Sequence, residues 1–316
     1  MIKIRKYKKG DEKGIVKLTN LVFPMYKFSI KDWDWRHKHD KKNISVAIDD
    51  KGQIIGHWAY LEKSLRIQKK ILKSGITLAA MIHPLWQKKG IFSQIANRLF
   101  KNACNNKILY LFGFPNDYSL PIHIKYGFKY IKSYNIYKKT VSSIIVSNKN
   151  SQRNYIFRVI KNFPQNTPEN YSDIIKVSKV NNYLNWRYLE IPSEKYFVFN
   201  IKKGKNNIGE IVFKYYQKKE EKHLHLIDIL ISEKDINEKL LREVFVFWTH
   251  LAIRSKAKLL STWLQGLGCL EDRIIEKYHF VKDEAKTFHL TVKNIGSKIL
   301  LDKKAWEIRM GDTEIF

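Results

Sequence analysis

The sequence predicts a mixed α/β fold laid down twice in tandem. Three observations carry this. Short alternating or apolar runs, read as strands, are interleaved with amphipathic helical stretches through residues 1–140. The run Ser74 to Ile82 is nearly all apolar, which implies a strand covered on both faces. Landmarks of the first half recur in the second, in the same order and at matched spacing.

The elements follow in order. Ile2-Lys3-Ile4-Arg5 alternates and suits a first strand. A helix is expected from Asp11 to Phe23, with Ile15, Leu18, Leu21 and Val22 on one face and Asp11 as N-cap. Asn43 to Asp49 and Gln53 to Tyr60 read as a hairpin around Asp50-Lys51-Gly52. After the strand Ser74 to Ile82 comes a helix from Ser93 to Ala103, with Ile95, Leu99 and Phe100 inward. Ile108 to Phe112 is a buried strand, Ser119 to Tyr126 a short helix ended by Gly127, and Phe128 to Lys138 a returning strand.

Trp35-Arg36 corresponds to Trp186-Arg187, Gly56 to Gly209, and Lys125-Tyr126-Gly127-Phe128 to Lys277-Tyr278-His279-Phe280. The expected organisation is a first domain at 1–140, a Ser/Asn-rich linker at 141–154 and a second copy at 155–316 with a C-terminal tail. Two unrelated α/β domains are the alternative. Trp33, Trp35, Trp58, Trp186 and Trp263 could stack on sugars, although core burial is the commoner fate of Trp.

Among 316 residues, 44% are hydrophobic, enough for packed cores. Lys and Arg number 59 against 30 Asp and Glu, a net charge of +29. That balance suits an anionic substrate, a membrane surface or nucleic acid, and equally reflects plain lysine enrichment. The lysines are scattered, with no concentrated nucleic-acid arm. The two cysteines, Cys104 and Cys269, lie far apart and show no metal-ligand spacing, so no metal is expected. With no apolar segment behind the N-terminus and no spanning run, a cytoplasmic setting is expected.

The informative segment joins the strand Ser74 to Ile82, the loop Gln87-Lys88-Lys89-Gly90-Ile91-Phe92 and the following helix. A glycine turn into a helix gathers main-chain N–H groups, and the helix dipole favours an anion there. Lys88 and Lys89 add positive charge, so a pyrophosphate is the natural guest. This loop resembles the Gln/Arg-x-x-Gly-x-Gly/Ala loop of the GNAT acetyltransferases. Asn116 and Gly127-Phe128 resemble that family's later Asn and Gly-Phe element. The resemblance covers residues 1 to about 140. The tandem arrangement also looks like GNAT proteins of surface-polysaccharide gene sets. It departs in Phe92, where the family has Gly or Ala.

The resemblance implies acetyl-CoA, or another short acyl-CoA, as co-substrate, bound by Met81, Ile82, His83, Gln87, Lys88, Lys89, Gly90, Ile91, Phe92 and Asn116. Main-chain amides near Met81 to His83 would hold the thioester carbonyl. Where the family has a tyrosine that protonates the departing thiolate, this chain has His123, which could do the same. The base is open between His83, the favoured residue, and His57, Glu62, Asp117 or a water. Direct attack by a primary amine is expected, on a small and anionic acceptor such as a nucleotide-linked amino sugar. The second copy lacks the anion loop: Ser232 to Asn237 has no glycine and carries acids. It would complete the acceptor cleft or form a homodimer contact. Rival expectations are a Fem-type transferase using aminoacyl-tRNA and a non-catalytic binding module.

Overall fold

The structure is a computed structural model that describes residues 2–25, 27–143, 154–164, 172–179, 181–218, 220–297, 299 and 301–313. In chain order the first elements are β1 (Lys3–Lys6), α1 (Asp11–Val22), α2 (Ile30–Arg36), β2 (Ile44–Ile48), β3 (Ile54–Glu62), β4 (Leu65–Ile67), β5 (Lys70–Leu72) and β6 (Ser74–Ile82). There follow α3 (Ile91–Asn105), β7 (Tyr110–Gly113), α4 (Leu120–Lys125), β8 (Lys129–Thr140), β9 (Tyr155–Val159), β10 (Ile175–Val177), α5 (Asn181–Tyr188) and β11 (Tyr196–Lys203). The chain continues with β12 (Asn206–Lys218), β13 (Glu221–Ile231), α6 (Glu238–Arg254), β14 (Leu259–Trp263), α7 (Leu270–Lys277), β15 (Val281–Asn294) and β16 (Trp306–Glu307).

The chain divides into two units: Met1–Lys132 with His289–Lys304, and Ser133–Phe288 with Ala305–Phe316. In unit 1 the strands run β1-β2-β3-β6-β7, with residues 291–294 of β15 on the far side of β7. Every pairing there is antiparallel except β6 with β7. Trp58, Ile91, Ile95, Leu99, Ile108, Leu111 and Phe128 form the core between α3 and the sheet. Burying each such side chain is worth roughly 1.5–3 kcal/mol, which is what seats α3. In unit 2, residues 136–140 of β8 pair with β14, and the order continues β13-β12-β11-β9. Trp248, Phe213, Leu260 and Ile274 lie in its core.

The contiguous halves expected from the sequence are therefore revised. β8 crosses into unit 2, and the end of β15 returns to unit 1, so residues 133–140 and 289–304 lie in the unit opposite to the expected one. Of the expected linker, Val141–Ser143 forms a short 3₁₀ turn, and residues 144–153 lie outside the described residues. The N-cap of α1 is Gly10 at φ +104°, not Asp11. Asp11 instead binds Arg5 through both oxygens at 2.6 and 2.8 Å.

From α2 to β8 and from α5 to β15 the elements follow in a similar order, except that β4 and β5 between β3 and β6 have no counterpart between β12 and β13. Gly56 faces Ile82 across β3 and β6, as Gly209 faces Ile231 across β12 and β13. Each hairpin carries a register shift a few residues on. Gly127 and His279, paired by the sequence comparison, both adopt positive φ, +80° and +52°.

Candidate active site

The loop Gln87–Gly90 is exposed. Lys88 at φ +60° and Gly90 at φ +72° both adopt left-handed backbone, which turns successive amides to one side. Gly90 is the N-cap of α3, and no side chain caps that helix. The amides of Lys88, Lys89, Gly90, Ile91 and Phe92 have no acceptor within the chain among the described residues. A Cβ on Gly90 would meet nothing within 4 Å, so the approach is open. Lys89 Nζ lies over the Trp86 ring at 4.8 Å, and Gln87 Nε2 donates to the Ile82 carbonyl at 3.4 Å. Phe92 turns its ring inward against Trp58, 5.0 Å away, so the aromatic residue at this family-variant position leaves its amide at the turn.

β6 and β7 pair only at Ser74, Gly75 and Ile76. The backbone ladder stops there, although Thr77 Oγ1 still donates to the Phe112 carbonyl at 3.3 Å; residues 78–82 of β6 run on without pairing to β7, leaving a gap beside them. Ala79, at φ +49°, forms part of a bulge, since two residues of β6 oppose Trp58 alone. Of the three amides expected for a thioester carbonyl, His83's is already used: it donates to the Ile55 carbonyl at 2.8 Å. Amides alternate sides along an antiparallel ladder, so Met81's also faces β3 and only Ile82's turns toward the gap.

His83 does not fit the base expected of it. Its Nδ1 accepts the Leu85 amide at 3.3 Å and caps the short turn Pro84–Trp86. That nitrogen therefore carries no proton, and the neutral ring's other nitrogen is a donor. Asn116 holds the turn that precedes α4: its Oδ1 accepts from the Ser119 amide at 3.0 Å and hydroxyl at 2.8 Å, leaving only Nδ2 for a ligand.

His123 lies inside the unit 1 core, its ring 4.6 Å from Phe128 and 6.0 Å from Trp58. Nδ1 lies 3.0 Å from Thr291 Oγ1. Burial pushes its pKa down to about 4, so at neutral pH the ring is uncharged and poorly suited to supply a proton to a thiolate. Thr291 belongs to a set invisible in the first half of the sequence. His289 Nε2 lies 2.6 Å from Asp117, and Lys293 Nζ donates to the Tyr126 carbonyl at 2.8 Å, at the C-terminus of α4. Alternate residues of β15 thus hold successive parts of the segment from Asp117 to Tyr126. Tyr126 itself meets Ser93, in the first turn of α3, at 2.6 Å.

The other candidate bases separate clearly. Glu62 is paired with Lys42 at 3.0 Å and Lys73 at 3.5 Å. Asp117 is exposed and paired with His289. His57 is buried, with Nδ1 2.8 Å from the carbonyl of Ala79 in the bulge. Burial first, then the charge of Arg36, pushes its pKa down to about 4. Trp33, Trp58 and Trp263 are all core residues, at 0–1% exposure, so none offers a sugar-stacking face.

Residues 3–131 match the model of a family described as an acetyltransferase (GNAT) domain. Residues 3–131 are thus similar to a GNAT acetyltransferase domain. No curated protein matches the sequence. Among solved structures, a GCN5-related N-acetyltransferase from Anabaena variabilis superposes with a TM-score of 0.69 at 10% identity, over 94% of this chain and 73% of that one. A GCN5-related N-acetyltransferase from Kribbella flavida gives 0.63 at 7% identity, over 93% and 71%. A conserved protein of unknown function from Enterococcus faecalis, described as a probable N-acyltransferase, gives 0.66 at 9% identity, over 93% and 73%. At such identities the likeness is one of fold.

Unit 2 differs from the GNAT domain where the anion loop would be. The N-cap of α6 is Asn237, whose side chain accepts from the amides of Lys239 and Leu240, so the helix start is self-capped. The ladder of β13 and β14 likewise stops after His225 and Ser261, with Thr262 Oγ1 still donating to the Leu226 carbonyl at 3.0 Å, and residues 308–309 bond both strands' continuations beyond it. Gln265, just beyond β14, bonds the main chain of Ile308 in both directions. Arg309 donates to the Ile229 carbonyl of β13 and pairs with Glu271 at 2.6 Å and Glu307 at 3.0 Å. Lys179 pairs with Asp228 at 2.7 Å and with Asp312 at 3.0 Å. Trp306, Ile308 and Met310 are buried. Among the described residues no group of three or more His, Cys, Asp or Glu could hold a metal ion, and no helix is long and apolar enough to cross a membrane.

Proposed function

We propose that this chain transfers an acetyl or other short acyl group from coenzyme A to a primary amine, by direct attack with both substrates bound. The observation that carries this is the exposed turn at Lys88–Phe92, with unbonded amides at the start of α3 beside the gap between β6 and β7. Those amides, Lys88 and Lys89 would hold the pyrophosphate, the pantetheine arm would lie in the gap, and the Ile82 amide would face the thioester carbonyl. The GNAT family match supports the choice of donor.

The excess of 59 basic over 30 acidic residues supports an anionic acceptor, and a nucleotide-linked amino sugar is the proposed class. Unit 2 is read as a second, degenerate copy of the fold. Its self-capped helix and the tail bonded to both strands' continuations support one donor site per chain.

Calorimetry with acetyl-CoA and release of CoA thiol against a panel of amines test the reading. Binding of one acetyl-CoA per chain and turnover with at least one amine are expected. Absence of acetyl-CoA binding would contradict it, and tight, steeply salt-dependent tRNA binding in its place would favour aminoacyl transfer instead.

A further inference from the structure

Among the buried side-chain atoms of unit 1 without a hydrogen-bond partner, His57 Nε2, His37 Nδ1 and Trp33 Nε1 lie in one cluster. The residues are 1%, 2% and 0% exposed. Their rings follow one another, Trp33 to His37 at 5.2 Å and His37 to His57 at 6.4 Å, edge-on. Buried polar groups in native folds are nearly always bonded, so three unbonded ones together call for a chemical explanation.

The cluster lies on the face of β3 away from the α3 helix. Neighbouring strand residues point to opposite faces, and Trp58 packs against Phe92 and Phe100 of α3. On the His57 face, Met81 is its cross-strand partner and accepts the hydroxyl of Thr19 from α1. His57 is held by the bulge: Nδ1 lies 2.8 Å from the Ala79 carbonyl. A carbonyl only accepts, so Nδ1 carries the proton and Nε2 presents a free lone pair. The ring thus lies against the Ala79 bulge of β6 through Nδ1, with Nε2 on its other edge.

The geometry points to His57 as the general base of the GNAT domain, with the acceptor amine meeting the acyl group at the Ala79 bulge from the α1–α2 side. This rests on the acyltransfer reading above. An alkylammonium gives one proton to Nε2. Its nitrogen then bonds the acyl carbon as the carbon–sulfur bond breaks. A second nitrogen proton leaves with sulfur as the thiol, and His57 returns its own proton to solvent. Ammonium and thioester thus become amide, thiol and one proton. The Trp33 Nε1–H, a donor without an acceptor, suits an oxygen close to the amine, as in an amino sugar or amino alcohol. Arg36 and His37 face the ring from α2, and neither is an acid that could replace it as base.

His57→Asn tests this, because the Asn amide can keep the donor to the Ala79 carbonyl while removing Nε2. The amine panel holds UDP-linked amino sugars, glucosamine, ethanolamine and spermidine. The variant should bind acetyl-CoA as the parent does and melt close to it. Its kcat should fall by about 100-fold or more with whichever amine the parent uses, with partial rescue by added imidazole. Histidine ¹⁵N NMR of the parent should show Nδ1 protonated and Nε2 bare. An Nε2-protonated ring, or a variant whose kcat stays within about threefold of the parent's, would overturn the assignment alone. A parent that binds acetyl-CoA yet acylates no amine of the panel overturns the acyltransfer reading and this one together.

Discussion

Replacing Thr291 by valine removes one hydroxyl at constant volume and leaves His123 Nδ1 buried without its partner, formerly 3.0 Å away. His123 is 6% exposed and Thr291 0%. An orphaned buried polar group costs roughly 1–3 kcal/mol. For a unit of this size each kcal/mol lowers Tm by about 2–4 °C, so a drop of roughly 2–12 °C is expected. The double variant His123→Phe/Thr291→Val should recover most of that loss, because it removes the orphaned ring nitrogen, although the Gly113 carbonyl loses the Thr291 hydroxyl in both variants, and Phe128 and Trp58 already surround the site with rings. Thermal and urea unfolding of the full chain read both effects. The same double variant decides the role of His123: a buried, neutral, structural histidine predicts retained turnover, whereas a proton donor predicts its loss. A single variant as stable as the parent, or a double variant no better than the single, would refute the reasoning.

His57 and His123 have pKa values below the ordinary histidine value, so the unfolded chain takes up their protons first as pH falls. Their stabilising effect is complete above pH about 6.5 and is lost between there and about 4. Melting followed across that range should fall less steeply in His57→Asn. Arg309→Ala leaves Glu271, Glu307 and Asp228 without a shared cation and should cost about 3–5 kcal/mol by urea unfolding, since breaking a buried pair strands the other charge. A fragment ending at residue 140 lacks buried Leu290 and Val292 and the strand beside β7. It should fail to show a cooperative melt unless it is co-expressed with residues 141–316.

Much of this was legible in the chain itself. The apolar run Ser74–Ile82 matched β6 residue for residue, and the loop around Gly90 stood out because only a few residue types make an open, positively charged turn into a helix. Gly127 and His279, aligned by matched spacing, both adopt positive φ. What failed was non-local. The exchange of β8 and β15 between units has no local signature, because either strand carries a pattern suited to either edge. The holds by His289, Thr291 and Lys293 on the Asp117–Tyr126 segment follow from that exchange. The helix α2 was missed although Ser29 and Asp32 form a capping box, and with it went the Trp33–His37 cluster. The place of His83 at the end of β6 suits a base. Its use as a turn cap depends on a ring orientation that sequence does not report.

The central claim is that the amides around Gly90 receive an anion. Gly90→Asn and Gly90→Asp test it as a matched pair: both residues tolerate left-handed backbone, the site has room for either, and they differ by one charge. Calorimetric titration with acetyl-CoA should leave Gly90→Asn within a few-fold of the parent and weaken Gly90→Asp by about tenfold or more, equivalent to about 1.4 kcal/mol, with the gap narrowing at high salt. Equal affinity of the two variants across salt concentrations would contradict it.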